Sequence, residues 1–360
     1  MKNTKSPPER GKRLLPILRK RVNKHLKQPH IKKNEWLEKT ELYSKAVIMF
    51  SVWLAPFILL FVYQFSTFQE IALGVISGIG MAGVGMNVMH DASHGAFSKK
   101  PWVNKLMSWS MYLLAGNVYN WKKQHVEIHH THTNIDGMDD DIDTKGLFRF
   151  SKKQKWRPHH RLQWLYAVPA YCCMTLLWVF AKDRNQMKRY FKHDKSIPKK
   201  EQSKQLWILR ITKAMYISLW LVLPLLLWEN WLSVVIFFLS MHFICGLILT
   251  VVFQLAHVVP KAQMYDDDHL IEDQLKHQLL TSVNFGTQSR LLNWYLGGLN
   301  LQKEHHVFPN KNHIQYRKIK SVVADFCDEI KIEYTEYRTM FAAIVAHFKL
   351  LIQLGNKNVV

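Results

Sequence analysis

The chain of 360 residues is poor in cysteine, and its four cysteines form no Cys-x-x-Cys pair. They are Cys172, Cys173, Cys245 and Cys327. This spacing indicates neither a thiolate zinc site nor a disulfide framework. The four thiols are predicted to be buried and to behave as small apolar side chains.

Acidic residues are scarce, and neither a signal peptide nor a basic–aromatic nucleic-acid motif is present. Lys and Arg outnumber Asp and Glu by 49 to 27, which gives a formal net charge of +22. Such a charge suits a nucleic acid or an anionic membrane surface. The basic residues concentrate in 1–45 and 182–205, which flank apolar runs long enough to cross a bilayer. The membrane therefore explains the charge, and no nucleic-acid partner is expected.

Four apolar runs have the roughly 20 residues that a spanning helix needs. They cover about 46–65, 71–89, 207–228 and 231–252. Only a few residues separate the first run from the second and the third from the fourth, so the runs form two tight hairpins. The glycines of the second run would let a neighbouring helix approach closely. We therefore predict an all-α integral membrane protein with two transmembrane hairpins and a cytoplasmic helical cap.

The distribution of basic residues predicts which ends of the runs face the cytoplasm. The two short turns contain no Lys or Arg, so both termini and all histidine clusters are expected in the cytoplasm. A further apolar run, 164–181, is predicted to lie in the interface or to dip in and back, because a fifth span would separate the histidine clusters. The expected divisions are a basic segment 1–45, a membrane domain 46–320 and a cytoplasmic helical segment 321–360.

Histidines cluster at four places near the predicted cytoplasmic helix ends. Residues four apart share a helix face, so His90 with His94, and His125 with His129, can each grip one metal ion. Adjacent histidines point about 100° apart and can reach two different ions. The candidate ligands are His90, His94, His125, His129, His130, His257, His305 and His306. Eight imidazoles exceed what one ion needs, so two ions are predicted in the cap.

The residue types favour iron as the metal. Imidazole ligands suit zinc, copper, iron and nickel. A site beside an apolar helix bundle indicates an apolar substrate, whose bonds are mainly C–H bonds. Zinc has no redox chemistry, whereas oxidation of an unactivated C–H bond needs a redox metal. A packed, hydrogen-bonded role is the alternative for any single histidine, and it is preferred for His242, which lies too far from His257 to share a metal.

Other residues near the clusters are candidates for binding the metal or for orienting its ligands. These are Asp91, Asn134, Asp140, His277 and Gln302. Asp141 is the alternative to Asp140. The spacing of Glu127 and His130 is that of soluble di-iron bundles, but it occurs only once, so Glu127 is expected at the solvent side or behind the ligands.

These motifs resemble the three histidine boxes of the membrane fatty acid desaturase family, over roughly residues 45–320. The boxes are present as His90-x3-His94, His125-x3-His129-His130 and Gln302-x2-His305-His306. Asn134 matches the extended second box, and His257 matches the family's extra ligand before the third box. Gln302 resembles the branch that contains front-end and sphingolipid desaturases and bacterial acyl-CoA or linoleoyl-CoA desaturases.

The resemblance implies a non-haem di-iron centre, O2 as co-substrate and electrons from outside the chain. No His-Pro-Gly-Gly haem motif occurs in the sequence. A separate ferredoxin-like protein or b-type cytochrome is therefore the expected donor, and a bacterial inner membrane is the expected location. The implied reaction removes two neighbouring hydrogens from a long acyl chain, carried by coenzyme A or by a lipid, and leaves a cis double bond.

Two other functions are open at this point. A hydroxylase of acyl, alkane or carotenoid substrates could use the same membrane scaffold, and it would give an alcohol instead of a double bond. A metal- or haem-handling transporter is disfavoured, because the apolar runs contain few ionisable residues besides His242, Arg210 and Lys213. Transport normally requires polar groups near the middle of the bilayer.

Overall fold

A computed structural model describes residues 14–31, 35–228 and 230–359 of the chain. These residues are predominantly helical. A parallel pairing of two-residue strands joins Asn284–Phe285 to Glu336–Tyr337. The predicted all-α class is confirmed.

Four helices are long and apolar enough to cross a membrane, and we call them spans one to four. They are Trp36–Val62, Thr67–Ser93, Lys199–Leu227 and Trp231–His257. They confirm the four predicted spans and their pairing into two hairpins. Each helix continues past its apolar run at the basic end, because backbone hydrogen bonding does not require apolar side chains. Spans two and four thereby reach His90 and His257.

Glycines bring span two close to its neighbours on both sides. A Cβ added at Gly78 would lie 2.5 Å from the carbonyl oxygen of Met241 in span four. A Cβ at Gly80 would overlap the backbone of Trp53 in span one. Ser77 also donates a hydrogen bond of 2.7 Å to the Trp53 carbonyl. Span two is therefore held between spans one and four, and the predicted close approach at its glycines is confirmed.

The apolar segment 164–181 is bent. Helices Pro158–Cys172 and Met174–His193 meet at an angle of 62°. The bent segment packs on span four, where Gly246 lies directly against the Cys172 carbonyl. This angle fits a broken fifth span as well as a segment that enters the membrane and returns, so the interfacial position stays a prediction.

Short helices form a layer at the histidine-bearing ends of the spans. Helix Leu14–Leu26 buries Leu18 and Val22 against helix His313–Glu329. The other short helices are Pro101–Ser108, Ser110–Leu113, Val118–Trp121, Lys122–His129, His130–His132, Gln274–Thr281, Arg290–Tyr295, Gln302–Val307 and Met340–Gly355. Helix His313–Glu329 continues through residue 320, so the predicted boundary at that position falls inside one helix.

The cysteines are all free thiols. Cys245 is buried in span four and Cys327 in helix His313–Glu329, as predicted. Cys172 and Cys173 are only partly buried, because they lie at the bend between the two halves of the 164–181 segment.

Candidate metal centre

The last turns of span two carry the first two candidate ligands. The helix changes to π hydrogen bonding at Gly85–Met89 and returns to an α-turn at His90–Ser93. Such π turns are rare and are frequent at functional sites. The rings of His90 and His94 have centroids 4.8 Å apart. They share a helix face, as their spacing predicts.

The second box is wound mostly as a π-helix, Lys122–His129. The rings of His125 and His129 stack with centroids 5.2 Å apart and an interplanar angle of 17°. The two rings share one face, and together with Asp141 they offer ligand atoms within 4.8 Å of one another, as their spacing predicts for a pair that can bind one ion. His125 and His129 also belong to two different groups of histidines.

The end of span four and a short helix supply the remaining candidates. His257 is the last residue of span four, and helix Gln302–Val307 carries His305 and His306. The His305 ring lies 4.5 Å from that of His90, and the His306 ring lies 4.8 Å from that of His257. This adjacent pair therefore points to two different groups, as its position on a helix predicts.

Seven of the eight candidate histidines meet in two groups. The first histidine group consists of His90, His94, His125 and His305, and the second consists of His129, His257 and His306. Within each group the ligand atoms all lie within 4.8 Å of one another. His130 lies between the groups and shares a cluster with His305 and His306. Four distant parts of the chain are thus brought together.

In four of these rings, the Nδ1 atom donates a hydrogen bond to a neighbouring acceptor. His125 Nδ1 donates to Asp141 and His129 Nδ1 donates to Asp139, each at 2.9 Å. His306 Nδ1 donates to Gln278 Oε1 at 2.6 Å, and His257 Nδ1 donates to the Thr281 carbonyl at 3.2 Å. Carboxylate and carbonyl oxygens can only accept, so they fix the proton on Nδ1 and leave the Nε2 lone pair free. Metal-binding histidines are commonly oriented in this way.

The inward nitrogens suit a bound cation. The Nε2 atoms of His257 and His306 lie 3.2 Å apart. Because both rings carry their proton on Nδ1, two lone pairs face each other with no proton between them. The Nε2 atoms of His94, His129, His130 and His305 are buried and have no hydrogen-bond partner among the described residues. A buried polar atom without a partner costs about 1–3 kcal/mol, which coordination to a metal would relieve.

Burial favours the neutral, metal-binding form of most of these rings, whereas the carboxylates of Asp139 and Asp141 outweigh burial at His129 and raise its pKa. Burial and the neighbouring imidazoles lower the pKa of His94, His130, His305 and His306 well below the usual value for histidine. Burial lowers the pKa of His125 to about 4, although Asp141 acts against it. Neutral imidazole is the metal-binding species. A set of neutral imidazoles suits iron, copper, nickel or zinc.

Asp91 lies next to His90 of the first histidine group. Its carboxylate accepts a hydrogen bond from His313 Nδ1 at 2.7 Å, and its other oxygen lies 3.8 Å from His90 Nδ1. The buried Lys45 of span one lies 2.9 Å from the second ring nitrogen of His313. Asp91, His313 and Lys45 thus form a buried polar chain that ends at His90.

Asn134 and His277 brace the second box. Asn134 has a left-handed backbone with φ of 56°, and its side-chain amide donates to the carbonyls of His257 and Gln263 at 3.0 Å each. His277 Nε2 donates to the Thr133 carbonyl at 2.9 Å. Both side chains contact the backbone of segments that carry candidate ligands, and their supporting role stays a prediction.

Asp140 faces away from the ligand histidines. Its carboxylate accepts a hydrogen bond from the Tyr190 hydroxyl at 2.6 Å and pairs with Arg189 at 2.8 Å. The residues on either side, Asp139 and Asp141, reach His129 and His125. Of the two aspartates predicted to orient ligand histidines, Asp141 contacts a ligand ring and Asp140 does not, because successive carboxylates in this turn point to opposite sides.

Glu127 and His242 lie outside the two histidine groups, as the sequence predicts. Glu127 is exposed and pairs with Lys123 at 2.9 Å on the outer side of its helix. His242 is buried in span four, where Tyr216 lies 2.8 Å from Nε2 and Thr175 lies 2.9 Å from Nδ1. Neither side chain belongs to a histidine group.

Sequence reasoning missed several supporting residues. Asp139 lies in the same acidic run as Asp140 and Asp141. The run indicated which loop lies near the ligand histidines, but it did not indicate Asp139. Gln278 and Tyr316 contact His306 and His305, the latter at 3.1 Å. They lie outside the boxes in separate helices, and no local pattern marks them.

A cavity of about 470 Å³ lies beside the first histidine group. Its wall includes the rings of His90, His125, His257 and His305, together with Gln302, which donates to the Leu299 carbonyl at 2.6 Å. Charged residues lining it come from the 140–145 loop and helix Asp183–His193, and apolar ones come from spans two and four and from the bent segment. The cavity therefore has a charged end in the cap and an apolar end among the spans.

Known proteins are similar to this chain over most of its length. A family model described as fatty acid desaturase matches residues 66–338. An "sn-1 linoleoyl-lipid 6-desaturase" of Arthrospira platensis is 32% identical over 341 residues, which are 93% of this chain and 90% of that protein. A protein of the same name from Synechocystis sp. is 30% identical, over 78% of this chain and 79% of its own length. An "Acyl-lipid (8-3)-desaturase" of Physcomitrium patens is 27% identical, over 86% of this chain and 66% of its own.

The extent of these matches agrees with the geometry of the site. The matched region begins at the connection between spans one and two and extends beyond helix Gln302–Val307, so it includes every residue of both histidine groups. The chain belongs to the fatty acid desaturase family, in its front-end and acyl-lipid branch, and is an enzyme that desaturates fatty acyl chains.

Proposed function

We propose that this desaturase holds two iron ions, one in each histidine group. His90, His94, His125 and His305 form the first set of ligands, and His129, His257 and His306 form the second, with His130 beside both. The observation that supports this assignment is the convergence of buried Nε2 atoms that have no hydrogen-bond partner outside the histidine groups. Iron, when bound, supplies the redox chemistry for using O2 to remove hydrogens from unactivated methylenes.

The side chains of the protein position the acyl substrate for this reaction. The cavity wall places apolar surface on one side and four ligand rings on the other. An acyl chain that fills this space excludes water and presents only one pair of neighbouring methylenes to the centre. Asp139 and Asp141 keep the rings of His129 and His125 in a fixed orientation and protonation state.

We further propose that the substrate is a linoleoyl-type chain carried by a membrane lipid and that the new cis double bond is at position 6. The names of the two cyanobacterial relatives support this choice. The test is expression of the full chain in a host whose membranes contain linoleoyl lipids but lack their 6-unsaturated products. Mass spectrometry should locate a new double bond at position 6 in lipid-bound chains.

Other products would contradict the proposal in different ways. A double bond elsewhere would overturn the position but not the reaction. Unsaturation confined to the acyl-CoA pool would overturn the lipid carrier. A hydroxylated chain without a double bond would identify the enzyme as the alternative hydroxylase.

The metal assignment is tested by elemental analysis of protein purified from membranes. About two irons per chain are expected. His94→Ala and His306→Ala should each reduce the iron content, because each removes a ligand from a different group. His193→Ala is the control, since His193 is exposed at a helix end. Active protein that contains stoichiometric zinc and no iron would contradict the assignment.

We propose that both termini and the metal centre face the cytoplasm of a bacterial cell, and that a separate acidic carrier delivers electrons. The connections 63–66 and 228–230 carry no Lys or Arg, whereas basic residues are abundant in the described parts of 1–45 and in 182–205. A basic face favours association with an acidic ferredoxin-like or cytochrome partner.

A further inference from the structure

Gly85 differs from the other glycines that lie deep in span two. A Cβ at Gly78 or Gly80 would overlap the backbone of a neighbouring span. A Cβ at Gly85 would lie 3.5 Å from Leu249 and 3.6 Å from Leu114, which are ordinary contact distances. The φ of Gly85 is −56°, a value that any helical residue adopts. Neither helix packing nor backbone conformation therefore requires glycine at position 85.

The absence of a side chain at position 85 affects the shape of the cavity. Gly85 lines the cavity and lies one π turn before His90, whose backbone N–H donates to the Gly85 carbonyl. On the facing wall, Leu249 precedes His257 by eight residues, about 12 Å. Met174 of the bent segment lines the same apolar end. Gly85 thus lies beyond the first histidine group as seen from the charged end of the cavity.

We propose that Gly85 sets the length of acyl chain that fits beyond the metal centre, an inference that rests on the proposed function. The polar carrier stays at the charged end, so the methyl end of the chain enters the apolar end. The absence of a side chain at position 85 leaves room there for the last methylenes. Gly85 is therefore a specificity-determining residue that acts on chain length through the depth of the cavity.

The size of the effect follows from the chemistry of apolar pockets. One methylene more or less in such a pocket changes discrimination between substrates by about 10–200-fold. Gly85→Leu places a branched side chain between Leu249 and Leu114. The ratio of desaturated 16-carbon to desaturated 18-carbon chains should therefore rise at least about tenfold. Gly85→Ala should change this ratio much less, because its Cβ fits in the existing space.

The experiment uses the full chain in membranes that contain both chain lengths, with products quantified by mass spectrometry. Leu249→Phe fills the same end from the facing wall and should shift the ratio in the same direction, even if Gly85→Leu fails to accumulate. The double variant Gly85→Leu with Leu249→Ala should return the ratio toward that of the wild type. Ile76→Phe is the control, because Ile76 is exposed on the outer surface of span two.

The possible outcomes separate this inference from the function on which it rests. An unchanged ratio in active Gly85→Leu and Leu249→Phe proteins would overturn the role of Gly85. So would an equal loss of activity on both chain lengths at normal iron content, which would mean that Gly85 serves the π turn before His90. If the wild-type protein made no double bond in any acyl chain, the proposed function itself would fail.

Discussion

Asp139 and Asp141 show how single residues set the chemistry of the site. Each carboxylate accepts the Nδ1 proton of one stacked imidazole, at 2.9 Å in both cases. Asn134 ties its backbone N–H to Asp139 at 2.9 Å, and Gln124 donates to Asp141. Hydrogen bonds therefore hold the two carboxylates in place as well as the rings that they contact.

Asp141→Ala should weaken iron binding about 10- to 100-fold, which is the usual effect of losing a partner behind a metal ligand. The His125 ring would lose the acceptor that fixes its proton on Nδ1. The measurement is the rate at which purified protein loses iron to a chelator. Asp136→Ala is the control, because Asp136 lies in the same loop and contacts Gln154 instead of a ligand ring. Equal rates in the two variants would contradict the role of Asp141.

The sequence identified residues of the site where a local spacing carries the information. His90 and His94, four apart on a helix, and the adjacent His305 and His306 point where their spacing predicts. The acidic run indicated the neighbourhood of the supporting carboxylates but not which of them faces inward, because turn geometry decides that. Gln278 and Tyr316 come from helices far along the chain, and only the tertiary fold brings them to the rings.

The π turns and glycines of span two act at the scale of the helix. The π turn at Gly85–Met89 rotates the end of the span relative to its start, while Gly78 and Gly80 fix the start against its neighbours. The histidine-bearing end can thus face the centre of the bundle without loosening the packing at the other end. The length of the apolar runs predicted the four spans, but it did not predict the change of helix type.

Gly80→Ala should destabilise the protein by roughly 1–3 kcal/mol, the usual effect of overpacking a core. Its Cβ would overlap the backbone of Trp53, which cannot move without shifting span one. The measurement is thermal unfolding in detergent. Gly85→Ala is the matched control on the same helix and should change the unfolding temperature little. A smaller loss of stability in Gly80→Ala than in Gly85→Ala would refute this account of the packing.

The bent segment is the element whose position the sequence left open. If it enters the membrane and returns, reporters fused at positions 65 and 228 should report the outer side, and reporters at 150, 195 and 340 should report the cytoplasm. Labelling of single cysteines from outside intact cells is the second measurement, because it leaves the chain at full length. An outer-side signal at 195 would identify the segment as a fifth span.

Part of the positive charge of the molecule lies at the charged end of the cavity. Helix Asp183–His193 borders the charged end of the cavity, and Lys188 and Lys192 are exposed on it. Arg189 on the same helix is engaged with Asp140. The exposed lysines are therefore available to attract a partner, whereas Arg189 belongs to the cavity wall.

Turnover at limiting electron carrier should fall about tenfold or more as ionic strength rises from about 0.01 to 0.15 M, where the Debye length shrinks from about 30 to 8 Å. Reversing Lys188 and Lys192 to Glu should weaken this salt dependence. Reversing Lys20 and Lys24 to Glu changes the net charge equally and is the control, since both are exposed on a different helix. If both double variants respond to salt like the wild type, the 182–205 block does not bind the carrier.

The order of the ligands along the chain has a consequence for biosynthesis. His90 and His306 are separated by roughly 215 residues, so at 5–20 residues per second a ribosome makes the last ligand about 10–40 s after the first. During that interval the first hairpin is already in the bilayer with Asp91 and its histidines lacking the partners that His313 and the third box later provide. The proposed iron ions can therefore find their complete set of ligands only after the third box has been synthesised, long after the first hairpin.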